Sequence, residues 1–224
     1  QIDIANMIYE TCEEIVSQNK PTKDFQNFEF ELILLSSMTS PFSEEEFDKM
    51  TEIEIIDKLY IIISTHYKNK IERNAVLAYP VIKDVFENEG EKYERIVVPF
   101  TNGTKSLQVV TNLKEAYQSE GKSLITDFEK NITLAIIDEN WKDHLRKMDD
   151  LKQSVQNASY EQKDPLLIYK FEAFELFKVT VAEINKEVLS FLYKGELPSK
   201  DTNQISEARK QKRQNLNMSK ANVQ

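Results

Sequence analysis

Apolar residues recur along most of this chain at intervals of three and four, the spacing that aligns side chains on one face of an α-helix. Ile4, Ile8, Cys12 and Ile15 mark such a face in residues 1–19. The run NKPTKD interrupts it, and Phe25, Phe28, Leu32 and Leu35 begin a second face over residues 24–36. Phe30, Ile33 and Leu34 widen that second arc, which predicts a helix buried on more than one side. Two helix starts follow. Ser43 with Glu46 and Thr51 with Glu54 have capping-box spacing, and Phe42/Phe47 and Met50/Ile55 stand at hydrophobic-staple positions. The second start predicts a helix over about 52–79, with Ile55, Leu59, Ile62 and His66 on one stripe.

The rhythm then changes. In RIVVPFTNGTKSLQVV, β-branched residues flank Asn102-Gly103. Asn-Gly suits both positive-φ positions of a type I′ hairpin turn, and Pro99 confines its strand to an edge. A lone hairpin is marginal in water, so this one is expected to pack on a helix as a surface insertion. Helical spacing returns over residues 122–157, where Leu134, Ile137, Trp141, His144, Met148, Leu151 and Val155 form a seam. From Leu167 onward Phe174, Phe177, Val181, Ile184, Val188 and Phe191 form another. Asp164 can cap the second helix and Pro165 suits its first turn. The spacing predicts an antiparallel pair with Trp141, Met148, Leu151, Phe174, Phe177 and Val181 facing inward, and arms roughly 40–55 Å long. Gly195 and Pro198 make a helix stop.

These elements predict a mainly α fold: a helical wing bundle with a small β-hairpin insertion, joined to a long antiparallel two-helix hairpin. The boundaries fall at 1–90 for the helical wing, 91–115 for the hairpin insertion and 116–198 for the scaffold segment with the long pair. Residues 199–224 are polar, with a basic cluster RKQKR, and are expected to form a flexible tail.

Composition narrows the function classes. Four glycines and six prolines in 224 residues argue against a turn-rich sheet fold. A net charge of -9 argues against a nucleic-acid partner, whose phosphates demand a basic face. The single cysteine, Cys12, excludes an intramolecular disulfide and fits a reducing compartment. The richest apolar stretch, LYIIIS, is far short of a membrane span. Gln1 is not an initiator residue, and a larger parent is expected.

Catalytic and ligand motifs are missing. Gly90, Gly103, Gly121 and Gly195 are isolated, with no phosphate-cradling run, so this chain is expected to bind no nucleotide and to have no enzyme activity. His66 and His144 lie far apart and Cys12 has no partner, so no metal or cofactor is expected. Asp143 beside His144, and Asp149 beside Asp150, diverge on a helix and make poor acid–base pairs.

One resemblance is specific. The stretch WKDHLRKMDDLKQSV, then YEQKDP, then YKFEAFELF resembles the SecA family pattern W-K-x-H-L-x-x-M-D-x-L-[RK]-x-x-[IV], Y-x-Q-K-D-P and Y-K-x-E-[AS]-F-x-[ML]-F. Trp141, Lys142, His144, Leu145, Met148, Asp149, Leu151 and Lys152 match the first part. Tyr160, Gln162, Lys163, Asp164 and Pro165 match the loop, and Tyr169, Lys170, Glu172, Phe174 and Phe177 match the third part. Residues 1–90 resemble the family's wing more loosely. Ala158 and Ser159 depart from the basic residue and glycine that many members carry before the tip tyrosine.

The resemblance implies the non-catalytic C-terminal region of a preprotein translocase motor. It implies a parent ATPase using ATP and Mg, whose motor lobes lie outside this chain. The two-helix finger would touch the SecYEG channel and unfolded preproteins through Tyr160, Gln162 and Lys163. The scaffold helix would pack on the motor lobes and regulate them through Trp141, His144, Leu145, Met148 and Lys152. The implied location is the cytoplasm, peripheral on the inner face of the plasma membrane, with room for a homodimer of the parent. The alternative is a structural coiled-coil adaptor, which explains the seam and the charge but not the Tyr-x-Gln-Lys-Asp-Pro loop.

Overall fold

The computed structural model describes residues 4–90, 92–156 and 164–198. Within them the chain is mainly helical: α1 (Ile4–Asn19), α2 (Phe25–Ser36), α3 (Glu44–Lys49), α4 (Glu52–Glu89), a hairpin of β1 (Arg95–Thr101) and β2 (Ser106–Asn112), then α5 (Leu113–Gln118), α6 (Lys122–Gln156) and α7 (Pro165–Lys194).

The first helical face forms as its spacing predicts. Ile4, Ile8, Cys12 and Ile15 are all buried, and burial pushes the Cys12 thiol up to about 12. Phe28, Leu32 and Leu35 bury the inner face of α2 against α1 and α7. The outer face corrects the sequence reading, for Phe30, Ile33 and Leu34 are exposed rather than buried on a second side. Among the described residues only one side of α2 is buried by its neighbours, and the second apolar arc stays largely in water.

Both capping boxes are present. The Glu46 carboxylate accepts from the Ser43 N–H at 2.9 Å, and that of Glu54 from the Thr51 N–H at 2.9 Å. Those backbone bonds, with the hydroxyl bonds beside them, hold both carboxyls below their ordinary range. The helix begun at Thr51 runs ten residues past the predicted end, to Glu89, with Pro80 inside it. Pro80 removes the bond to the Val76 carbonyl, but both residues are exposed while Ala75, Ala78 and Ile82 stay buried. Packing on one side thus carries the helix through. The buried stripe is Ile55, Leu59, Ile63 and Tyr67, and Ile62 and His66 lie half-buried at its border rather than on it.

The hairpin pairs Val98 with Val109 and Phe100 with Leu107. Its turn is not the two-residue type I′ form. Thr101 pairs with Ser106, leaving Asn102 to Lys105 as a four-residue loop in which only Gly103 has positive φ, at 88°. The Asn102 side-chain oxygen accepts from the N–H groups of Thr104 and Lys105, and this closes the loop without a left-handed Asn102. The hairpin is also no mere surface insertion. Phe100 and Val109 are fully buried, and the Phe100 ring stacks on Phe128 at 4.2 Å, with Phe128 6.4 Å from Phe191. A backbone bridge ties it to the segment after α7: Thr101 N–H donates to the Glu196 carbonyl at 3.0 Å, and Glu196 N–H to that of Thr101 at 2.8 Å. The next hydrogen-bonded rung in that register would set Pro99 against Pro198. Neither has an N–H, so pairing stops after one rung.

A single hydrophobic core joins α1, α2, α4, the hairpin, the base of α6 and the end of α7. Tyr193 donates to the Ile63 carbonyl at 3.0 Å, and Tyr67 donates to Glu129 at 2.8 Å. Burial raises the pKa of Tyr67 and of Glu129, opposed at Glu129 by the Tyr67 bond.

Two glycines with nearly equal φ separate strain from crowding. Gly103 (φ 88°) faces open space, whereas a methyl on Gly121 (φ 87°) would sit 2.8 Å from the Ala75 carbonyl oxygen. Gly103→Ala should cost about 1–2 kcal/mol, the price of a left-handed residue. Gly121→Ala should cost at least about 1 kcal/mol more, from overpacking. Urea unfolding midpoints compare them, and equal losses would contradict the account.

Candidate functional site

The long pair α6/α7 is built on a spacing that the three-and-four alternation obscured. Between Ile136 and Met148 the buried and half-buried positions on α6 recur by four, as Ile136, Asn140, His144 and Met148, and the same line runs back through Ile132, Phe128 and Leu124. Four residues advance a helix by about 400°, so each step rotates the contact line by about 40°. The stripe therefore winds around α6. Its lower end serves the hairpin and the core, and its upper end serves α7. Ala173, Leu176, Thr180, Ile184, Val188 and Phe191 supply the facing ladder on α7.

Polar groups occupy the middle of this seam. His144 is buried at 5% exposure, and its Nδ1 lies 3.0 Å from Thr180 Oγ1. The Thr180 hydroxyl donates to the Leu176 carbonyl at 2.8 Å, so Nδ1–H is the donor to Thr180. Lower down, Asn140 donates to Glu187 at 2.7 Å, and Lys105 on the hairpin loop bridges Glu187 at 2.8 Å and Glu139 at 3.1 Å. Burial acts to raise the Glu187 pKa, but the bonds from Lys105 and Asn140 and the Lys105 charge outweigh it and hold it below the ordinary range. The same carboxylates hold Lys105 above its usual value. From the other side α1 grips α7: Asn185 donates to Glu10 at 3.1 Å, and Lys186 pairs with Glu14 at 3.0 Å.

The inward set is the main correction. Trp141 is 42% exposed, Phe174 57%, Phe177 45% and Val181 38%. Leu134, Ile137 and Leu167 are exposed as well, whereas Met148 and Leu151 are half-buried and Val155, Val188 and Phe191 are buried. Each arm carries two apolar ladders, and the one with smaller or polar members faces the partner. Ala173 and Thr180 let the axes approach, and the hydrogen bond satisfies His144. The bulkier ladder is left outside. Trp141 and Phe177 flank the buried His144 ring, at 5.1 Å and 6.0 Å between centroids.

The residues singled out in the sequence divide accordingly. Trp141, Leu145 and Lys152 lie on the outer surface, His144 is in the seam and Met148 is half-buried. Tyr160, Gln162 and Lys163 lie outside the described residues. Sequence reasoning missed Thr180, although it falls four residues from both Leu176 and Ile184. It also missed the Lys105–Glu187 contact, whose partners are distant in sequence and carry no local signal.

The backbone at the glycines offers no anion cradle. Gly121 faces the Ala75 carbonyl, and Gly195 abuts the Phe191 carbonyl and the Phe128 ring. Among the described residues no cluster of His, Cys, Asp and Glu could hold a metal ion, and no helix is long and apolar enough to cross a membrane.

Known proteins align with this arrangement. A family model described as the SecA wing and scaffold domain matches residues 1–196. The protein translocase subunit SecA of Flavobacterium psychrophilum is 60% identical over 208 residues, 93% of this chain and 18% of that protein. Its namesake from Christiangramia forsetii is 60% identical over 212 residues, covering 95% and 19%. That of Parabacteroides distasonis is 45% identical over 200 residues, covering 89% and 18%. The chain thus spans under a fifth of the length of these curated relatives.

The geometry yields two expected outcomes. Phe128→Ala, at a fully buried ring, should cost roughly 3–5 kcal/mol. Phe177→Ala should cost about 1 kcal/mol or less, since nearly half of the side chain is already in water. Thermal or urea unfolding of both variants ranks them, and equal losses would contradict the assigned faces. Lys105→Met should cost under about 1 kcal/mol near neutral pH, because the pair is partly exposed. The Glu187 contribution is fully present above its unfolded pKa of about 4.3 and is lost as pH falls through the lower folded value. The gap between wild type and Lys105→Met should therefore close in acid, and a gap that persists there would contradict the linkage.

Proposed function

This chain belongs to the SecA wing and scaffold family, and from that membership we propose that it is the non-catalytic part of a preprotein-translocating ATPase. In this reading residues 1–90 are the wing, 91–115 the hairpin, 116–198 the scaffold and two-helix finger, and 199–224 a polar tail. The observation that carries the reading is the bulky apolar ladder on the outside of the arms: Leu134, Ile137, Trp141 and Leu145 on α6, and Phe171, Phe174 and Phe177 on α7. An exposed run of large apolar side chains marks a surface that meets another partner. Its α6 portion is assigned to the motor lobes, with Lys152 beside it and His144 and Met148 beneath as support.

The loop joining the arms is assigned to the translocating polypeptide and the SecYEG channel. A moving chain has no fixed sequence, so its contact must tolerate any side chain. The Tyr160 ring, apolar with a polar end, suits that task, with Gln162 and Lys163 beside it. ATP and Mg belong to the motor lobes of the parent protein. The glycine surroundings described above do not fit a nucleotide. The place of work is the cytoplasmic face of the plasma membrane, as a peripheral protein.

In the full-length protein, Tyr160→Ala should strongly reduce preprotein translocation while leaving ATP binding near wild type. Tyr160→Phe, which keeps the ring, should be milder. Wild-type translocation by Tyr160→Ala would refute the loop assignment. For the outer face, Trp141→Ala with Leu145→Ala should barely shift the melting of this chain, yet weaken its capture by a motor fragment roughly tenfold or more. Undiminished capture would refute the motor assignment.

A further inference from the structure

Each arm of the α6/α7 pair could bury either of two apolar ladders, and bulk favours the one that is outside. On α7 the inner ladder holds Ala173, Leu176 and Thr180, and the outer holds Leu167, Phe171, Phe174 and Phe177. On α6 the inner ladder places Asn140 and His144 where the outer has Ile137, Trp141 and Leu145. Rotating α6 by about 80° and α7 by about 130°, at about 100° per residue, would exchange the ladders. Burial of apolar area alone would drive that exchange.

One specific polar contact opposes it at this level. His144 Nδ1–H donates to Thr180 Oγ1 at 3.0 Å, and both residues are buried. Rotation would break the bond: with α7 turned alone, His144 Nδ1–H stays in the seam without a partner, while Thr180 keeps only its intrahelical bond to the Leu176 carbonyl. Below this level the arms are held directly by the Asn140–Glu187 bond at 2.7 Å, by Lys105 across Glu139 and Glu187, and by α1 through Glu10 and Glu14. At the height of His144 and Thr180 the arms are also joined by the exposed ion pair Lys147–Glu183 at 3.7 Å, a type that contributes little. A buried polar pair that sets register is the best-attested use of such groups in helix pairs.

We propose that the His144–Thr180 hydrogen bond is a rotational selector: it decides which ladder of each arm enters the seam, and so keeps Trp141, Phe174 and Phe177 on the outside. His144 and Thr180 are positioning residues. They present the outer face without belonging to it, whatever that face meets.

Trp141 is the only tryptophan in the chain, so it reports its own burial. In the full chain, His144→Ala with Thr180→Ala should retain wild-type helicity by circular dichroism. Its Trp141 emission should shift to shorter wavelength, with a loss of acrylamide quenching. His144→Asn, which places an N–H near the position of Nδ1, and Thr180→Ser, which keeps the hydroxyl, should each keep wild-type emission and quenching. These rescues also control for the loss of the imidazole as a neighbour of the Trp141 ring. Wild-type emission and quenching in the double variant, with helicity retained, would overturn the proposal. So would a fall in helicity with emission shifted to longer wavelength, which would mean that the contact only holds the arms together.

Discussion

Val188, Leu189, Phe191, Leu192 and Tyr193 fill less than two turns at the end of α7, and all are buried. At about 100° per residue those side chains span roughly 200° of the helix circumference, an arc too wide for one neighbour to cover. α1 and α2 pack on it, α6 lines it through Phe128, and α4 meets it through Ile63, His66 and Tyr67 around the Tyr193 ring. The wing helices and the hairpin are in effect a socket for this plug. Beyond the stretch that α1 flanks, around Asn185 and Lys186, α7 runs on beside α6, which is why one chain holds both a dense core and a long, largely uncovered pair.

Much of this was legible in the sequence. Caps, staples and the Asp164-Pro165 start are local chemistry, and the helix bounds near them came out within a residue or two. The long pair was recognisable for the same reason, since its period repeats many times. The misread features share a different cause. Burial on a helix depends on what lies opposite, and the opposite surface is not in the helix's own sequence. Phe30, Ile33 and Leu34 look like core and stay largely in water. Pro80 looks like a stop, but sits where its missing bond faces water. The ladder containing Asn140, His144 and Thr180 looks too polar for a seam until the groups are seen to satisfy one another.

The same logic bears on the candidate site. Size and hydrophobicity make Trp141, Phe174 and Phe177 the obvious seam residues, and the structure reserves them for the outside. A sequence that invests its largest apolar groups away from its own core does so at a cost in solubility, which an occupied surface removes. The motif that carries the family resemblance therefore mixes positions of two kinds: those that fit the arms to each other, such as His144, and those that the arms display, such as Trp141 and Leu145.

The single rung between Thr101 and Glu196 has a further effect. An exposed strand edge is a template on which any extended chain can add, and growth of that kind is how β-structured aggregates begin. Here the chain lays its own backbone on the edge of β1 for one rung and then opposes two imino acids, Pro99 and Pro198, across the next. The occupied rung denies a newcomer one end of the strand, and Pro99 withholds a donor from the position beside it. What remains open, near Arg95 and Val97, is too short to nucleate a sheet. The β1 edge thus offers an incoming strand little to pair with, although Val97 stands exposed on it.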